Sequence, residues 1–364
     1  MHRGSVMRIL AMDIGLGTQD ILLYDSTKNY ENMCKLVFTS PTQRFAKRIR
    51  QLAEKYDTIV IYGYTIGGGP SKVAILDVLK RERRVIITRK AALTVTENLD
   101  ELQKLGAEII DDEDVDKYLE KYRDSSIELK EIDFSSLQKV FSSFDEDIGN
   151  IDAIAVAVQD HGVPSEKQTH REFRFNILKE SLLKGGRARD FAYSINEIPS
   201  FLKRMVSVAD EIKNTIPDIP GIVMDTAPAT LFGILYDEYF TYPDIFLGVN
   251  VGNGHTLAAI FEDKKAVAFF EHHTRFLNPQ KTENFLNRFI DGTLTFENIF
   301  GDEGHGTLYA KKIPRSEIKG FFGIGPNRAM LKSVKLDFKF PAPMGDVMMA
   351  GPITLSNVAM ELLY

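Results

Sequence analysis

The fold of this chain is decided by residues 9–25, ILAMDIGLGTQDILLYD. Apolar runs on both sides of a glycine-containing turn predict a strand, a tight turn and a returning strand. The turn contains Gly15, Gly17 and Thr18, whose backbone N–H groups and hydroxyl are able to approach a bound anion closely. Asp13 ends the first strand beside this turn, and a carboxylate next to a phosphate fits Mg²⁺, which takes oxygen ligands. The stretch therefore predicts either a phosphate-binding hairpin or an ordinary glycine-containing turn.

Composition is that of a globular protein and excludes several classes of function. The chain has 364 residues, enough for two domains with cores of their own. Its net charge of −6 gives no basic field to hold nucleic acid. A single cysteine, Cys34, excludes an internal disulfide and favours a reducing compartment. No apolar run approaches the roughly 18 residues of a membrane span. Together with the net charge and the single cysteine, this predicts a cytoplasmic protein without nucleic-acid or membrane partners.

A second glycine-rich hairpin appears in the later part of the chain. Residues 245–263 repeat the opening pattern of an apolar strand, a polar glycine-containing turn and a returning apolar strand. Two such hairpins in the same setting indicate an internal duplication, with the two turns facing each other across a cleft. The residues of the second turn that are predicted to bind phosphate are Gly252, Asn253, Gly254 and Thr256.

A smaller unit is inserted between the hairpins. Predicted strands and helices alternate over residues 57–110, which is typical of a parallel α/β unit. Its loop Gly67-Gly-Gly-Pro-Ser71 precedes a helix that Ser71 is expected to cap, and it predicts either an anion site or a tight turn. Residues 123–150 are polar and are expected to form a return linker. Residues 164–200 carry several arginines and are expected to form either a substrate-facing wall or a solvated surface.

Polar residues follow two further apolar strands. One strand ends in Gln159, Asp160 and His161, and polar residues at the carboxyl end of a buried strand lie where open α/β sheets bind their ligands. The other is followed by Asp225 and a helix of small and apolar residues. A helix of that composition is expected to be buried between two halves of the molecule.

Taken in order, these motifs resemble the superfamily of ATPases that includes actin, hexokinase and the heat-shock chaperones. Within it, the carbohydrate kinases that include glycerol kinase and xylulokinase are most similar to this sequence. Asp13-Ile-Gly-Leu-Gly-Thr18 resembles their first phosphate motif, and Gly252-Asn-Gly-His-Thr256 resembles the second. Gln159-Asp-His-Gly162 resembles their sugar-contacting element, Asp225 to Gly233 the segment with the catalytic base, and Phe322 to Arg328 the adenosine loop. The set of motifs also resembles an uncharacterised archaeal family.

The resemblance implies an α/β fold with two ribonuclease-H-like (actin-like ATPase) domains that face a cleft. Residues 1–225 would form the first domain, with the insertion at about 57–150, and residues 226–364 the second. It also implies ATP and Mg²⁺ as cofactors, and phosphoryl transfer to a small hydroxylated metabolite. The implied roles are Mg²⁺ binding by Asp13, proton abstraction by Asp225, phosphate binding by Gly15, Gly17, Thr18, Gly252, Asn253, Gly254 and Thr256, adenosine binding by Gly323, Gly325, Asn327 and Arg328, and substrate binding by Gln159, Asp160 and His161.

Two departures leave other functions open. The chain is much shorter than those kinases, and the residues after Gly162 lack their Trp-x-Asp-x-Arg element, with only Phe173-Arg-Phe-Asn176 near that place. An alternative is a nucleotide-binding regulatory ATPase without a sugar substrate. The sequence indicates neither the substrate nor the oligomeric state.

Histidines beside carboxylates suggest a further alternative, a metal-dependent enzyme. Imidazole together with carboxylate suits Zn²⁺, Fe²⁺ or Mn²⁺. No single segment has a ligand spacing such as His-Glu-x-x-His, so the ligands would have to converge from several segments. The candidate ligands are His161, His272, His273 and His305, which are expected to lie in turns or at strand ends.

Overall fold

The computed structural model describes residues 6–164 and 168–364, which form a mixed α/β protein built on three sheets. Among the described helices, none is long and apolar enough to cross a membrane. In chain order, the strands are β1 (Arg8–Ile14), β2 (Thr18–Asp25), β3 (Cys34–Thr39), β4 (Thr58–Gly63), β5 (Arg84–Thr88), β6 (Ala107–Ile110), β7 (Ser126–Leu129), β8 (Ala153–Val158), β9 (Ala192–Ser194), β10 (Gly221–Met224), β11 (Ile245–Val251), β12 (His255–Glu262), β13 (Lys265–His273), β14 (Gly306–Tyr309), β15 (Phe321–Ile324) and β16 (Phe338–Lys339). The α-helices are α1 (Pro41–Lys55), α2 (Gly68–Lys80), α3 (Arg89–Ala92), α4 (Leu99–Lys104), α5 (Val115–Tyr122), α6 (Phe134–Ser142), α7 (His170–Lys184), α8 (Lys203–Thr215), α9 (Thr226–Phe232), α10 (Pro279–Ile290), α11 (Phe296–Phe300) and α12 (Ala350–Leu363).

Two of the sheets share a five-strand topology, to which β9 adds an edge strand in the first sheet and β14 in the second. The first has the strand order β3-β2-β1-β8-β10-β9, and the second has the order β14-β13-β12-β11-β15-β16. In the first sheet, β3, β2 and β1 are antiparallel, and β8 and β10 continue it in parallel. In the second, β13, β12 and β11 are antiparallel, and β15 and β16 continue it in parallel. Because β1 and β11 hold the same place and each enters a glycine turn, the duplication indicated by the two hairpins is present in the strand order.

Two helices join these sheets through a shared core. Helix α9 contacts strands of both sheets, and α12, the last element, packs on α9 and on β1 and β8 of the first sheet. Phe232 of α9 meets Phe261 of β12 edge to face, with ring centroids 5.2 Å apart, an arrangement that aromatic rings prefer. The same apolar cluster contains Ile9 of β1 and Ile353 of α12, both fully buried. This packing holds the two hairpin turns opposite each other.

The third sheet belongs to the inserted unit. All neighbours in its order β6-β5-β4-β7 are parallel, as the alternation of strands and helices predicts. The expectation that residues 123–150 form a polar linker is wrong in one place, because β7 pairs with β4 there. Ile127 and Leu129 of β7 are buried against the sheet. A strand of four residues is too short for its alternation of apolar and polar residues to be recognised in the sequence.

Two other expectations for local structure are also corrected. Part of the segment 164–200 is helix α7, whose start is stabilised by a capping box between Thr169 and Glu172. Residues 165–167 of that segment lie outside the described residues. Helix α2 begins before Ser71, so Ser71 does not cap it. The Ser71 hydroxyl is buried and lies 3.0 Å from the hydroxyl of Thr42 in α1.

Candidate functional site

The two hairpin turns meet at a pair of adjoining cavities. The smaller cavity, of about 70 Å³, lies between the first and second sheets. The larger cavity, of about 530 Å³, extends from there toward the inserted unit. Both cavities share one wall, so a group bound in one lies next to a group bound in the other. The residues of the shared wall are Gly15, Leu16, Gln159, Thr226, Gly254 and His255.

The smaller cavity contains two buried carboxylates, Asp13 and Asp20. Asp13 accepts hydrogen bonds from the hydroxyls of Thr226 and Thr230, but burial outweighs them and raises its pKa to about 6. Burial and the charge of Asp13 raise the pKa of Asp20 to about 8. One oxygen of Asp20, Oδ1, is buried without a hydrogen-bond partner in the part of the chain that the structure describes. A divalent cation would satisfy this pair.

The two turns have the same internal hydrogen bond and contact each other. Gly15 donates to the carbonyl of Thr18 at 2.9 Å, and Gly252 donates to the carbonyl of His255 at 3.0 Å. A Cβ on Gly17 would lie 2.5 Å from Nδ2 of Asn253, so the turns are in close approach. The cleft between the halves is therefore closed in this structure.

Most predicted phosphate residues lie at the smaller cavity, but Thr256 does not. The cavity is lined by Gly15, Thr18, Gly252, Asn253 and Gly254. Gly17 does not line it but packs against Asn253, which does. The hydroxyl of Thr256 instead lies 3.0 Å from that of Thr274, on the buried side of β12. Its position gives it no access to a bound phosphate.

One of the residues predicted to bind adenosine, Asn327, contacts the second turn. Asn327 donates to the carbonyl of Gly252 and to the side chain of Asn253, both at 3.1 Å. Arg328 donates to the carbonyl of Gly325 at 3.2 Å. None of the four predicted adenosine residues lines either cavity, although Pro326 lines the smaller one. In β15, a Cβ on Gly323 would crowd the side chains of Leu331 and Phe340, so Gly323 belongs to the core.

Asp225, the predicted catalytic base, is held by an arginine and by a helix N-terminus. Its oxygens accept from Arg174 at 2.7 and 3.1 Å and from the backbone of Ala227 at 3.0 Å. It therefore forms a buried ion pair and caps α9, and it lines neither cavity. Asp160, predicted to bind substrate, likewise accepts from the backbone of Gly162 and Met205. Both carboxylates are therefore engaged in hydrogen bonds within the protein, and the catalytic and substrate-binding roles expected of them stay predictions.

Arg174 is a buried arginine near the site that sequence reasoning missed. It is 1% exposed and lies in α7, where the sequence predicted a wall or a solvated surface. Its guanidinium joins Asp225 of the first half to Glu271 in β13 of the second half, with its shortest contact to Glu271 at 2.6 Å. The capping box at Thr169 would have indicated the helix, but no local pattern identifies the two carboxylates that Arg174 contacts.

The two predicted metal ligands on strand β13, His272 and His273, lie on opposite faces of the sheet. Glu271, His272 and His273 are the last three residues of β13, so the two histidines lie at a strand end, as expected. Side chains alternate along a strand, so Glu271 and His273 share one face and His272 lies on the other. There Nε2 of His272 lies 3.0 Å from a carboxylate oxygen of Asp302. His272 is therefore not part of the histidine cluster.

A cluster of histidines forms on the face of the sheet where Glu271 and His273 lie. His161, His255 and His305 each place a ring nitrogen within 4.8 Å of the others. The ring of His273 lies 4.6 Å from that of His255 and 4.7 Å from that of His305. His255 and His273 are directly opposite in the β12–β13 register, which explains their proximity. The sequence analysis assigned His255 to the phosphate turn and so left it out of the metal ligands.

The cluster is held in the neutral form. Burial, and next the charge of Arg174, lower the pKa of His161 and of His255 well below the usual value. The same two causes lower the pKa of His305 to about 2, and burial lowers that of His273 to about 4. Neutral imidazoles are able to accept protons and to bind metal ions.

The larger cavity has basic groups on the side of the inserted unit. Lys72 of α2 and Arg204 of α8 line it, together with the loop 67–69. Arg204 pairs with Glu131 at 2.6 Å and donates to the carbonyl of Gln159 at 2.9 Å, which fixes its position. Gln159, His161 and the carboxylate of Glu97 line the same cavity. The arrangement is suited to a small polar molecule.

Comparison with known proteins gives a family. A family model described as "Putative pyruvate format-lyase activating enzyme (DUF1786)" matches residues 66–330. No curated protein matches the chain. Among solved structures, the chain is similar to one titled "PilM-PilN type IV pilus biogenesis complex", with 9% identity and a TM-score of 0.35, over 96% of this chain and 98% of that one. Because the family model covers well over half of its length, the chain belongs to the DUF1786 family.

Proposed function

We propose that this protein is an actin-like, Mg²⁺–ATP-dependent phosphotransferase that acts on a small hydroxylated molecule in the larger cavity. In this proposal the two repeated sheets are ribonuclease-H-like domains, and nucleotide phosphates bind between their hairpin turns. The observation that carries the proposal is that two topologically equivalent turns meet at one cavity.

The donor set of the smaller cavity fits Mg²⁺. Mg²⁺ prefers oxygen ligands and keeps several waters, so one or two carboxylates are enough to hold it. Asp13 and Asp20 supply them, and the unpartnered Oδ1 of Asp20 would gain a partner. When bound with ATP, Mg²⁺ neutralises phosphate charge during transfer.

The shared wall places the two cavities for transfer between them. A phosphate held at Gly15 and Gly254 would border a substrate held in the larger cavity, because both glycines line both cavities. Asp225 is engaged with Arg174, so another group at the larger cavity would have to accept the proton of the attacking hydroxyl. Closure of the turns would exclude water from the site.

A second candidate is a regulatory ATPase without a small-molecule substrate. The ion pair that occupies Asp225 favours it, because the residue that the resemblance assigns to proton abstraction is not free. Turnover of ATP with and without a pool of sugars, polyols and hydroxy acids distinguishes the two. A phosphotransferase consumes ATP faster with one class of acceptor, whereas a regulatory ATPase shows the same rate throughout.

Nucleotide binding itself is tested with a glycine variant that the fold tolerates. A Cβ on Gly254 would meet only Leu16 and Gln159, at 3.8 and 3.9 Å, which are ordinary contacts. Gly254→Val should therefore fold with a melting temperature near that of the wild type while filling the cradle. ADP–Mg²⁺ at about 100 times its Kd should stabilise the wild type by roughly 2.7 kcal/mol and leave the variant unchanged. No shift in the wild type, or an equal shift in both proteins, would contradict nucleotide binding at this cleft.

A further inference from the structure

We propose that His161, His255 and His305 bind one divalent transition-metal ion, separate from the Mg²⁺ site and independent of nucleotide. His161 follows β8 of the first sheet, whereas the other two belong to the second sheet. The site would therefore connect the two halves of the molecule. His161 and His255 also line the larger cavity, so the ion would lie at its wall.

The spacing of the ring nitrogens fits a metal ion after small side-chain rotations. The three ligand atoms lie within 4.8 Å of one another. Zinc–nitrogen bonds of about 2.0–2.1 Å in a tetrahedral site put ligand nitrogens about 3.3–3.4 Å apart. Metal binding would require the imidazoles to rotate about their side-chain bonds to close this difference. Three protein ligands with an open fourth position are the arrangement of catalytic zinc sites.

A second and independent observation is the state of His305. Its side chain is fully buried, and both ring nitrogens lack a hydrogen-bond partner within residues 6–164 and 168–364. A buried polar group without a partner is unfavourable, and coordination of an ion would remove that cost. The position therefore indicates a missing ligand rather than an ordinary core histidine.

A carboxylate and an amide side chain lie next to two of the proposed ligands. An oxygen of Glu271 lies 3.5 Å from Nδ1 of His305, and Arg174 holds that carboxylate in place. The side-chain amide of Gln159 lies beside the His255 ring, with its Nε2 2.6 Å from Nδ1 and 3.3 Å from Nε2. With the amide turned over, its oxygen would accept from Nδ1–H and leave the lone pair of Nε2 for the ion. Partners of this kind fix the orientation of metal-binding histidines. The arrangement assigns Glu271 and Gln159 as positioning residues.

The ligand chemistry selects the class of ion. Three neutral imidazoles suit Zn²⁺, Fe²⁺, Co²⁺, Ni²⁺ or Cu²⁺, whereas Mg²⁺ and Ca²⁺ prefer oxygen ligands. The oxygen site at Asp13 and Asp20 and the nitrogen site at the histidines would therefore hold different ions. An ion at the wall of the larger cavity would act as a Lewis acid on an oxygen of a bound substrate.

Metal content without nucleotide tests the proposal directly. The purified full chain is stripped with a chelator, reloaded with Zn²⁺ or Co²⁺, desalted and measured by elemental analysis. About one equivalent of metal is expected per chain, and Co²⁺ should give the intense visible absorption of a four-coordinate site. His161→Gln and His305→Ala should each reduce the retained metal at least tenfold. His161 is partly exposed, so that variant should fold even where His305→Ala does not.

His170→Ala is the matched control. It removes an exposed histidine that lies beside Glu97 and outside the cluster, so its metal content should equal that of the wild type. Less than about a tenth of an equivalent in the wild type would overturn the proposal, as would full retention in His161→Gln and a folded His305→Ala. Because nucleotide is absent throughout, a negative result leaves ATP binding at the other site unaffected.

Discussion

Removing the buried guanidinium of Arg174 should destabilise the protein more than any exposed ion pair would. Arg174 is 1% exposed and bonds to the carboxylates of Asp225 and Glu271, which are also buried. Arg174→Met keeps much of the side-chain volume but leaves both carboxylates without their cation. Breaking a buried pair in this way typically costs about 3–5 kcal/mol. We expect a loss of that size in the free energy of unfolding at pH 7.

Arg189→Met is the matched control for this experiment. Arg189 pairs with Glu361 at 2.6 Å, but both side chains are more than 40% exposed. Exposed pairs contribute about 0–1 kcal/mol, so this variant should unfold near the wild-type midpoint. A loss below about 1 kcal/mol in Arg174→Met, or equal losses in the two variants, would refute the role assigned to Arg174.

Changes at three carboxylates have distinct expected effects. Without Mg²⁺, the melting temperature should fall from about pH 5 to pH 8, because the folded pKa values of Asp13 (about 6) and Asp20 (about 8) exceed the unfolded value of about 3.9. Asp20→Asn should flatten this slope in a pH series of melts, and an unchanged slope would contradict it. Asp13→Asn should weaken ADP binding with Mg²⁺ far more than without it in a fluorescence titration; equal weakening would exclude a metal role. Asp225→Asn should lower the unfolding midpoint but leave ATP turnover by folded protein nearly intact, whereas a loss of about 100-fold or more would restore Asp225 as the base.

Much of the fold follows from local sequence, because its decisive elements have strong local patterns. The hairpins at Gly15 and Gly252 combine apolar runs with glycine turns, and the strand order confirms the duplication that they indicate. Strand β7 was missed because its burial depends on pairing with β4, which no four-residue pattern reveals. Helix α7 was missed because apolar and charged residues are mixed along it, although its capping box is visible in the sequence.

The candidate site depends more on distant contacts. Asp225 follows a strand, as a catalytic residue would, yet its role is set by Arg174, which lies 51 residues away in sequence. His255 joins the cluster because the β12–β13 register places it opposite His273. His272, which precedes His273 in the sequence, is excluded from the histidine cluster because side chains alternate between the two faces of a strand. Residue type alone predicts which side chains could take part in catalysis or binding. Strand pairing and register determine which of those side chains lie close together.

Calorimetric titration of ADP into the full chain, with and without Mg²⁺, tests the central claim most directly. The account predicts one binding site per chain, tighter binding when Mg²⁺ is present, and no binding heat with Gly254→Val at an unchanged melting temperature. Gly254 lies on the wall that both cavities share, so this variant tests the cleft itself. Absence of heat with the wild type, or binding to Gly254→Val with wild-type affinity, would contradict a nucleotide site between the two sheets.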